Sequence, residues 1–366
     1  DQVARIAVAL LVFDRTRSTF AASATYGCSY LTWLVAGPFL SVLADRYRRR
    51  RIMVLSDLAR AALVALLLGA RPPIWLVFAV LIAVGLLAPP FESARSAILP
   101  DILEGEEYVV GNTLINTTIQ GAQVAGFFFG GVLVALFSPR GALALDVATF
   151  LLSAAVLAGT VQDRPAVTAR STSYLADTRA GIEYVLREPL LRTLLLYGVL
   201  ASVVSIVPEG LAVAVAAEGG DGAVGAGVLT AAVPLGYVIA SLLMVGVPND
   251  RRLPLLRPLT VLLCLPLILT PLVPSTAATA LLWAVAGLGT AVQLVAAVTY
   301  VARTPAEFRG RAFGVASTLL MLGQGVALLV AGAVADTVGA RNVIALTAAA
   351  GLALVPLVRT PQIKAS

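Results

Sequence analysis

The chain has 366 residues but no histidine, one lysine (Lys364) and two cysteines. Without histidine there is no Ser-His-Asp triad, no imidazole metal site and no imidazole proton relay, so carboxylates are left to carry protons near neutral pH. Cys28 and Cys264 each lie inside an apolar run, which predicts two unpaired thiols and no redox chemistry. Charge is scarce as well: 13% of residues are charged and 59% hydrophobic, with a mean hydropathy of +0.93. A soluble domain of that composition would expose large apolar patches, so the solvent for this chain is a bilayer. The basic excess, 26 Lys+Arg against 20 Asp+Glu, is almost all arginine. It reads as membrane topology and contact with membrane lipids, with no sign of nucleic-acid binding.

Long apolar runs fill the rest. A helix needs about 20 apolar residues to cross a bilayer, and the chain divides into about twelve runs with short connections. They fall near Asp1 to Val12, Phe20 to Leu43, Ile52 to Leu68, Ile74 to Ala88, Val110 to Phe137, Ala142 to Val161, Leu190 to Ala214, Ala223 to Val247, Leu259 to Val273, Ala277 to Val301, Ala312 to Ala335 and Val343 to Val358. The first is short and starts without methionine, so the expectation is a first span cut mid-membrane with a segment missing before it. The predicted fold class is an all-α integral membrane protein of about twelve transmembrane helices in two pseudo-symmetric six-helix bundles, residues 1–161 and 190–366. Residues 162–189 form the cytoplasmic linker between them, where hydrophobicity drops. There Leu175, Ile182, Val185 and Leu186 recur at helical spacing, which predicts an amphipathic helix on the membrane surface, the alternative being a plain solvated linker.

Arginine placement sets orientation, because cytoplasmic loops carry the positive excess. Arg46, Arg48, Arg49, Arg50, Arg51, Arg95, Arg164, Arg170, Arg179, Arg187, Arg251, Arg252, Arg257, Arg303, Arg309 and Arg311 share one face, while Arg15, Arg17, Arg71, Arg140 and Arg341 lie on the other. Both termini are therefore expected in the cytoplasm. The halves echo one another: Asp45-Arg46 after the second span matches Asp250-Arg251 after the eighth, and Gln123 and Gly131 match Gln324 and Gly332 at one common offset. Internal duplication of this kind suits a secondary transporter whose halves rock about a site at their interface.

The loop Ser41-Val42-Leu43-Ala44-Asp45-Arg46-Tyr47-Arg48-Arg49-Arg50 resembles the major facilitator superfamily signature between helices 2 and 3, G-x-x-x-D-R-x-G-R-R/K. Asp45, Arg46, Arg49 and Arg50 fit it, and Ser41 and Arg48 replace its two glycines. Pro100-Asp101-Ile102-Leu103 after Ala94-Arg95-Ser96-Ala97 looks like the loop between helices 4 and 5 in the branch that includes siderophore and macrolide exporters. The glycine-rich G-P-x-x-G-G motif of antiporter helix 5 is partly matched by Gly126, Gly130 and Gly131, with Phe127 at the proline position. Small residues at that spacing also serve plain helix packing.

Ionisable groups inside spans cost about 3 kcal/mol each on insertion scales and are functional candidates by default. The resemblance implies that spans one and seven line a central cavity. Asp1 and Arg5 sit one turn apart in the first, as a substrate contact or a structural pair. Glu209 follows Pro208 in the seventh, as a titrating group or an interfacial acid. Asp146 in the sixth span is a further proton-coupling or substrate candidate, the alternative being a packing role at the periphery, beside Arg140 or near the outer surface, and Asp57 with Arg60 in the third are expected to brace the arginine loop. Asn112, Asn116, Gln120 and Gln123 in the fifth span, Gln293 in the tenth and Gln324 in the eleventh offer hydrogen bonds to a substrate or to neighbouring helices. At the cytoplasmic end, Asp45 is expected to accept from the helix terminus near Arg311, with Arg46 beside it and Arg49 paired with Glu92, forming a gate.

The expected function is proton-coupled export of an amphipathic small molecule, as an antiporter in a bacterial cytoplasmic (inner) membrane. It would work as a monomer with protons and lipids as its other partners and without cofactor, metal or catalytic residues. An importer or lipid flippase on the same fold is the alternative. An integral-membrane lipid enzyme would need clustered catalytic side chains at one interface, against which the missing histidine and the scattered acids argue.

Overall fold

The computed structural model describes residues 2–40, 47–69, 71–102, 105–161 and 182–357. Every element among them is helical. The first half comprises α1 (Gln2–Thr16), α2 (Thr19–Leu40), α3 (Arg49–Ala65), α4 (Ile74–Leu86), α5 (Ala88–Ile102) and α6 (Gly105–Thr160). The second comprises α7 (Pro189–Gly219), α8 (Gly222–Val245), α9 (Leu256–Ile268), α10 (Thr276–Gly289), α11 (Ala291–Arg303), α12 (Ala306–Val338) and α13 (Ala340–Leu354). Seven stretches among the described residues are long and apolar enough to cross a membrane: Ile74–Ser96, Gly121–Thr160, Pro189–Gly219, Gly222–Val245, Leu253–Leu272, Thr276–Arg303 and Ala312–Val338. The chain is a multi-pass, all-α membrane protein.

Proline and glycine explain most departures from the predicted spans. The fourth continues beyond Ala88, because Pro89 and Pro90 fall in the first turn of α5, where a missing N–H costs nothing. Arg95 and Glu92 therefore sit on a helix, joined at 2.5 Å, and helix persists to Ile102. The fifth and sixth spans run together as α6, broken only at Ser138 (φ 66, ψ 165) before Pro139. Gly339 (φ 90, ψ 146) makes the matching break between α12 and α13. The two breaks are 201 positions apart, the offset that also relates Gln123 to Gln324 and Gly131 to Gly332. The internal duplication thus extends from side chains to backbone geometry. In the linker, residues 182–187 are helical with Val185 buried, and 162–181 lie outside the described residues.

The halves meet along two seams, α2 against α12 and α6 against α8. In the second seam backbones touch: a Cβ on Gly131 would stand 2.5 Å from the Ala223 carbonyl oxygen and 2.7 Å from the Gly227 Cα. Only glycine permits that approach, the usual device for close helix packing without a hydrophobic drive between helices. Gly126 and Gly130 instead turn toward α1, facing Gln2, Val3 and Ile6. At one end of the first seam Asp336 of α12 caps α2 across the interface. Its carboxylate accepts from the Ser18 hydroxyl (2.8 Å) and from the backbone N–H groups of Thr19 (2.5 Å) and Phe20 (3.3 Å). The Ser18 Oγ in turn accepts from Ala21 N–H at 3.1 Å, so the free donors of the first turn are met partly by one half and partly by the other.

Candidate functional site

A cavity of about 270 Å³ lies between the halves. Tyr30 of α2 and Gln123 of α6 wall it on one side; on the other stand Ser205 and Glu209 of α7, Tyr237 of α8, Gln293 of α11 and Gln324 of α12. Proline interrupts two of these walls. Pro208 in α7 has no N–H for the Val204 carbonyl four residues back, and Pro234 has none for the Thr230 carbonyl in α8, so each helix loses one backbone hydrogen bond beside the cavity. The amide of Gln293 is held by donation from its Nε2 to Ser205 Oγ at 3.1 Å, and Ser205 passes its proton to the Ser202 carbonyl at 3.2 Å. These bonds fix Gln293 with its oxygen available to accept.

Among the described residues Glu209 is the one acid lining this cavity. Its Oε1 is buried and has no hydrogen-bond partner, although a buried carboxylate oxygen without one is costly. The cation within electrostatic reach is Arg5 of α1 in the opposite half. Arg5 also bonds the Tyr30 side chain and sets its guanidinium 6.0 Å from the centre of that ring. Arg5, Tyr30 and Glu209 thus link α1, α2 and α7 across the interface.

Behind α1 lies a second cavity of about 120 Å³ inside the first half, lined by Arg5, Arg60 and Asp146 among apolar side chains. Asp146 is 4% exposed and faces this interior, while Arg140, its expected neighbour, is exposed to the surroundings. One helical turn and a half separates the two along α6, enough to point them to different sides. Arg60 donates to the Leu87 carbonyl (2.7 Å), pairs with Asp57 (3.7 Å) and lies 5.0 Å from the centre of the Phe91 ring. Asp57 accepts from Ser153 Oγ at 2.6 Å. Among the described residues this pair ties α3 to Leu87 and to Ser153 of α6, and the loop residues 41–46 that it was expected to brace lie outside them. Arg50, in the first turn of α3, donates to the Ala158 carbonyl of α6.

Of the candidates read from the sequence, the structure brings Glu209, Gln123, Gln293 and Gln324 to one cavity, and Arg5, which lines the neighbouring cavity, within electrostatic reach of Glu209. Asp1, Asp45 and Arg46 lie outside the described residues, as do the side chains of Asn112, Asn116, Gln120 and Arg311. Glu92 pairs with Arg95 of its own helix. Tyr30, Tyr237, Ser205 and Thr290 also line the cavity without having been singled out; polar and phenolic groups inside apolar runs are their only sequence signal. Among the described residues no group of three His, Cys, Asp or Glu side chains is placed to hold a metal ion.

Solved structures share this architecture at low sequence identity. A bacterial homologue of the human lysosomal transporter Spinster, inward-facing and unoccupied, superposes over 98% of this chain and 93% of its own, with TM-score 0.71 and 15% identity. The nucleoside transporter NupG (98% of each chain, TM-score 0.72, 12% identity) does so as well. A POT family transporter in complex with 5-aminolevulinic acid covers 98% of this chain and 93% of its own, with TM-score 0.73 and 12% identity. In sequence, the uncharacterized MFS-type transporter YfiS of Bacillus subtilis (strain 168) is 27% identical over 168 residues. That match takes in 44% of this chain and only 40% of the relative's length. Residues 4–213 and 210–364 each match the family model of the Major Facilitator Superfamily. With its helical bundles, its duplicated backbone and a polar cavity at their interface, the chain belongs to the major facilitator superfamily of membrane transporters.

Proposed function

We propose that this chain exports an amphipathic small molecule in exchange for protons, by alternating access about the cavity between its halves, with Glu209 as the coupling carboxylate. The observation that carries this reading is the buried, unpartnered Oε1 of Glu209 in a cavity formed by both halves. Protonation removes the cost of that burial, and deprotonation strengthens the pull of Arg5 in the other half, so one proton changes the force between the halves. With no histidine in the chain, a carboxylate must do this work. In the same reading residues 1–161 and 190–366 are the rocking bodies, joined by 162–189. The protein is a monomer in a bacterial cytoplasmic membrane with both termini in the cytoplasm. Its relation to the siderophore and macrolide exporter branch rests on Pro100-Asp101-Ile102-Leu103.

Asp336, Ser18 and the Gly131–Gly227 contact then close the outer side, and the structure corresponds to an inward-facing state. Asp45 and Arg46, with Arg49, Glu92 and Arg311, form the opposing cytoplasmic gate. Asp1 and Arg5 contact the polar part of the substrate.

A test independent of substrate identity is infrared difference spectroscopy of the reconstituted protein between acid and alkaline pH. A protonated buried carboxyl band is expected in the parent and absent in Glu209→Gln. In proteoliposomes Glu209→Gln is expected to lose accumulation driven by a pH gradient and keep downhill exchange. An unchanged carboxyl band in the variant removes Glu209 from the coupling role.

A further inference from the structure

The central cavity does not end at its polar walls. A third cavity, of about 200 Å³, lies wholly within the second half between α7, α11 and α12. Gln293 and Gln324 line both, so these two amides stand at the junction where polar lining gives way to apolar. Beyond them the walls are Leu195 and Gly198 of α7, Ala297 and Tyr300 of α11, and Phe313 and Ser317 of α12. The Tyr300 hydroxyl donates to the Ala312 carbonyl at 2.9 Å, which turns its polar end away and leaves an apolar ring as wall. The annex runs along α11 from Gln293 to Val301, eight residues or about 12 Å at 1.5 Å per residue. It therefore extends at least that far along the helix.

From this junction we infer that the transported molecule is a single-chain amphiphile: a neutral head rich in hydrogen-bonding groups in the central cavity and one unbranched apolar arm in the annex. The inference rests on the transport reading above and names the substrate class for the same site. The head is neutral because the cavity offers amides, phenols and hydroxyls, while its acid, Glu209, is matched by Arg5. A fixed charge on the ligand would leave one of those two groups uncompensated in a desolvated site. The arm is a single chain because an annex of about 200 Å³ is too small for two, and the small residues Gly198, Ala297 and Ser317 in its wall leave it room. A pocket of this kind discriminates by length, since each methylene buried adds a roughly constant increment until the end wall is met.

The test uses n-alkyl β-glucosides from butyl to octyl, titrated calorimetrically into the protein in nanodiscs with empty nanodiscs as the blank. Affinity is expected to rise about fourfold per methylene, so octyl binds roughly 250-fold tighter than butyl. Filling the annex with Ser317→Phe should cut that ratio below about tenfold. Ala297→Phe, from another helix, should do the same and covers the case in which the first variant does not fold. An octyl-to-butyl ratio unchanged in a folded variant means that the chain lies elsewhere, in lipid or in the central cavity, and overturns the inference. Tighter binding of octyl sulfate or octyltrimethylammonium than of octyl glucoside overturns the neutral head. Because the readout is equilibrium binding, it separates from coupling. Loss of the length dependence in a protein that still uses a pH gradient sinks only this inference, whereas a steep length dependence without any coupling through Glu209 sinks only the earlier reading.

Discussion

In the first half α3 buries Asp57 and Arg60 at 2% and 6% exposure, and α6 adds Asp146 at 4%. In the second half the matching helix, α9, buries Thr260, Leu263 and Cys264 at 0%, and the position 201 residues beyond Asp146 is Thr347. Both threonines satisfy themselves: Thr260 donates to the Leu256 carbonyl at 2.7 Å and Thr347 to the Val343 carbonyl at 2.8 Å. The first half thus carries charge in the interior of α3 and α6, whereas α9 of the second half buries only neutral groups and the counterpart of Asp146 is a neutral threonine. Burial of the charges, which costs several kcal/mol per ion, is tolerable only where partners and hydrogen bonds surround them, as Leu87, Ser153 and Phe91 do here. Their position behind α1, sharing a cavity with Arg5, sets them one helix away from the proposed transport site.

The largest effect is expected from breaking this network at its only cation among Asp57, Arg60 and Asp146. Arg60→Met leaves Asp57 without its counter-ion and Leu87 without its donor, and should lower stability by about 3 to 5 kcal/mol. The triple replacement Asp57→Thr, Arg60→Leu, Asp146→Thr removes every charge of the network at once, leaves none uncompensated, and should recover most of that loss. Unfolding in mixed micelles measures both. A single variant within about 1 kcal/mol of the parent would show that the charges do not depend on one another.

A different part of the comparison concerns the seams. Gly131→Val places side-chain atoms where the Ala223 carbonyl and Gly227 backbone already sit, so the α6–α8 seam cannot close. Gly332→Val would strike Ser23 of α2 in the same way. Each should drive the population toward the state open at that end. Distance measurements between spin labels at Arg71 and Asp221, in a background lacking Cys28 and Cys264, report it. Unshifted distances would mean that these glycines are ordinary packing positions.

The sequence made the polar site legible because polarity inside an apolar run is costly and therefore conspicuous. Glu209, Gln123, Gln293 and Gln324 stood out for that reason, and they share a cavity. Direction around a helix was harder. Asp146 has Arg140 as its sequence neighbour, but only the phase of α6 decides that it points at Arg60's cavity. The apolar annex was invisible, since Leu195, Ala297 and Phe313 look like any lipid-facing residues until the packing leaves space between them. Asp336 was passed over because it lies near a span end, where an acid normally meets water; its partners come from 316 to 318 positions away.

The smallest and most diagnostic effect belongs to that acid. Asp336 occupies the end of α12 and caps the start of α2, while the sequence places Asp45 beyond the end of α2, near the start of α12. In the proposed gate Asp45 is the reciprocal of Asp336 on this helix pair, one acid for each end of the seam. On the proposed cycle Asp336 holds the outer side shut and Asp45 the cytoplasmic side. Asp336→Asn keeps one accepting oxygen but loses the charge at a helix N-terminus, a change of about 1 kcal/mol. That corresponds to roughly a fivefold shift in population toward the outward-open state. Asp45→Asn should shift it by a similar factor the other way, and the double variant should return close to the parent distribution. Spin-label distances at the two ends decide it: shifts of the same sign in both single variants, or none in Asp336→Asn, would mean that the two caps are not opposing latches.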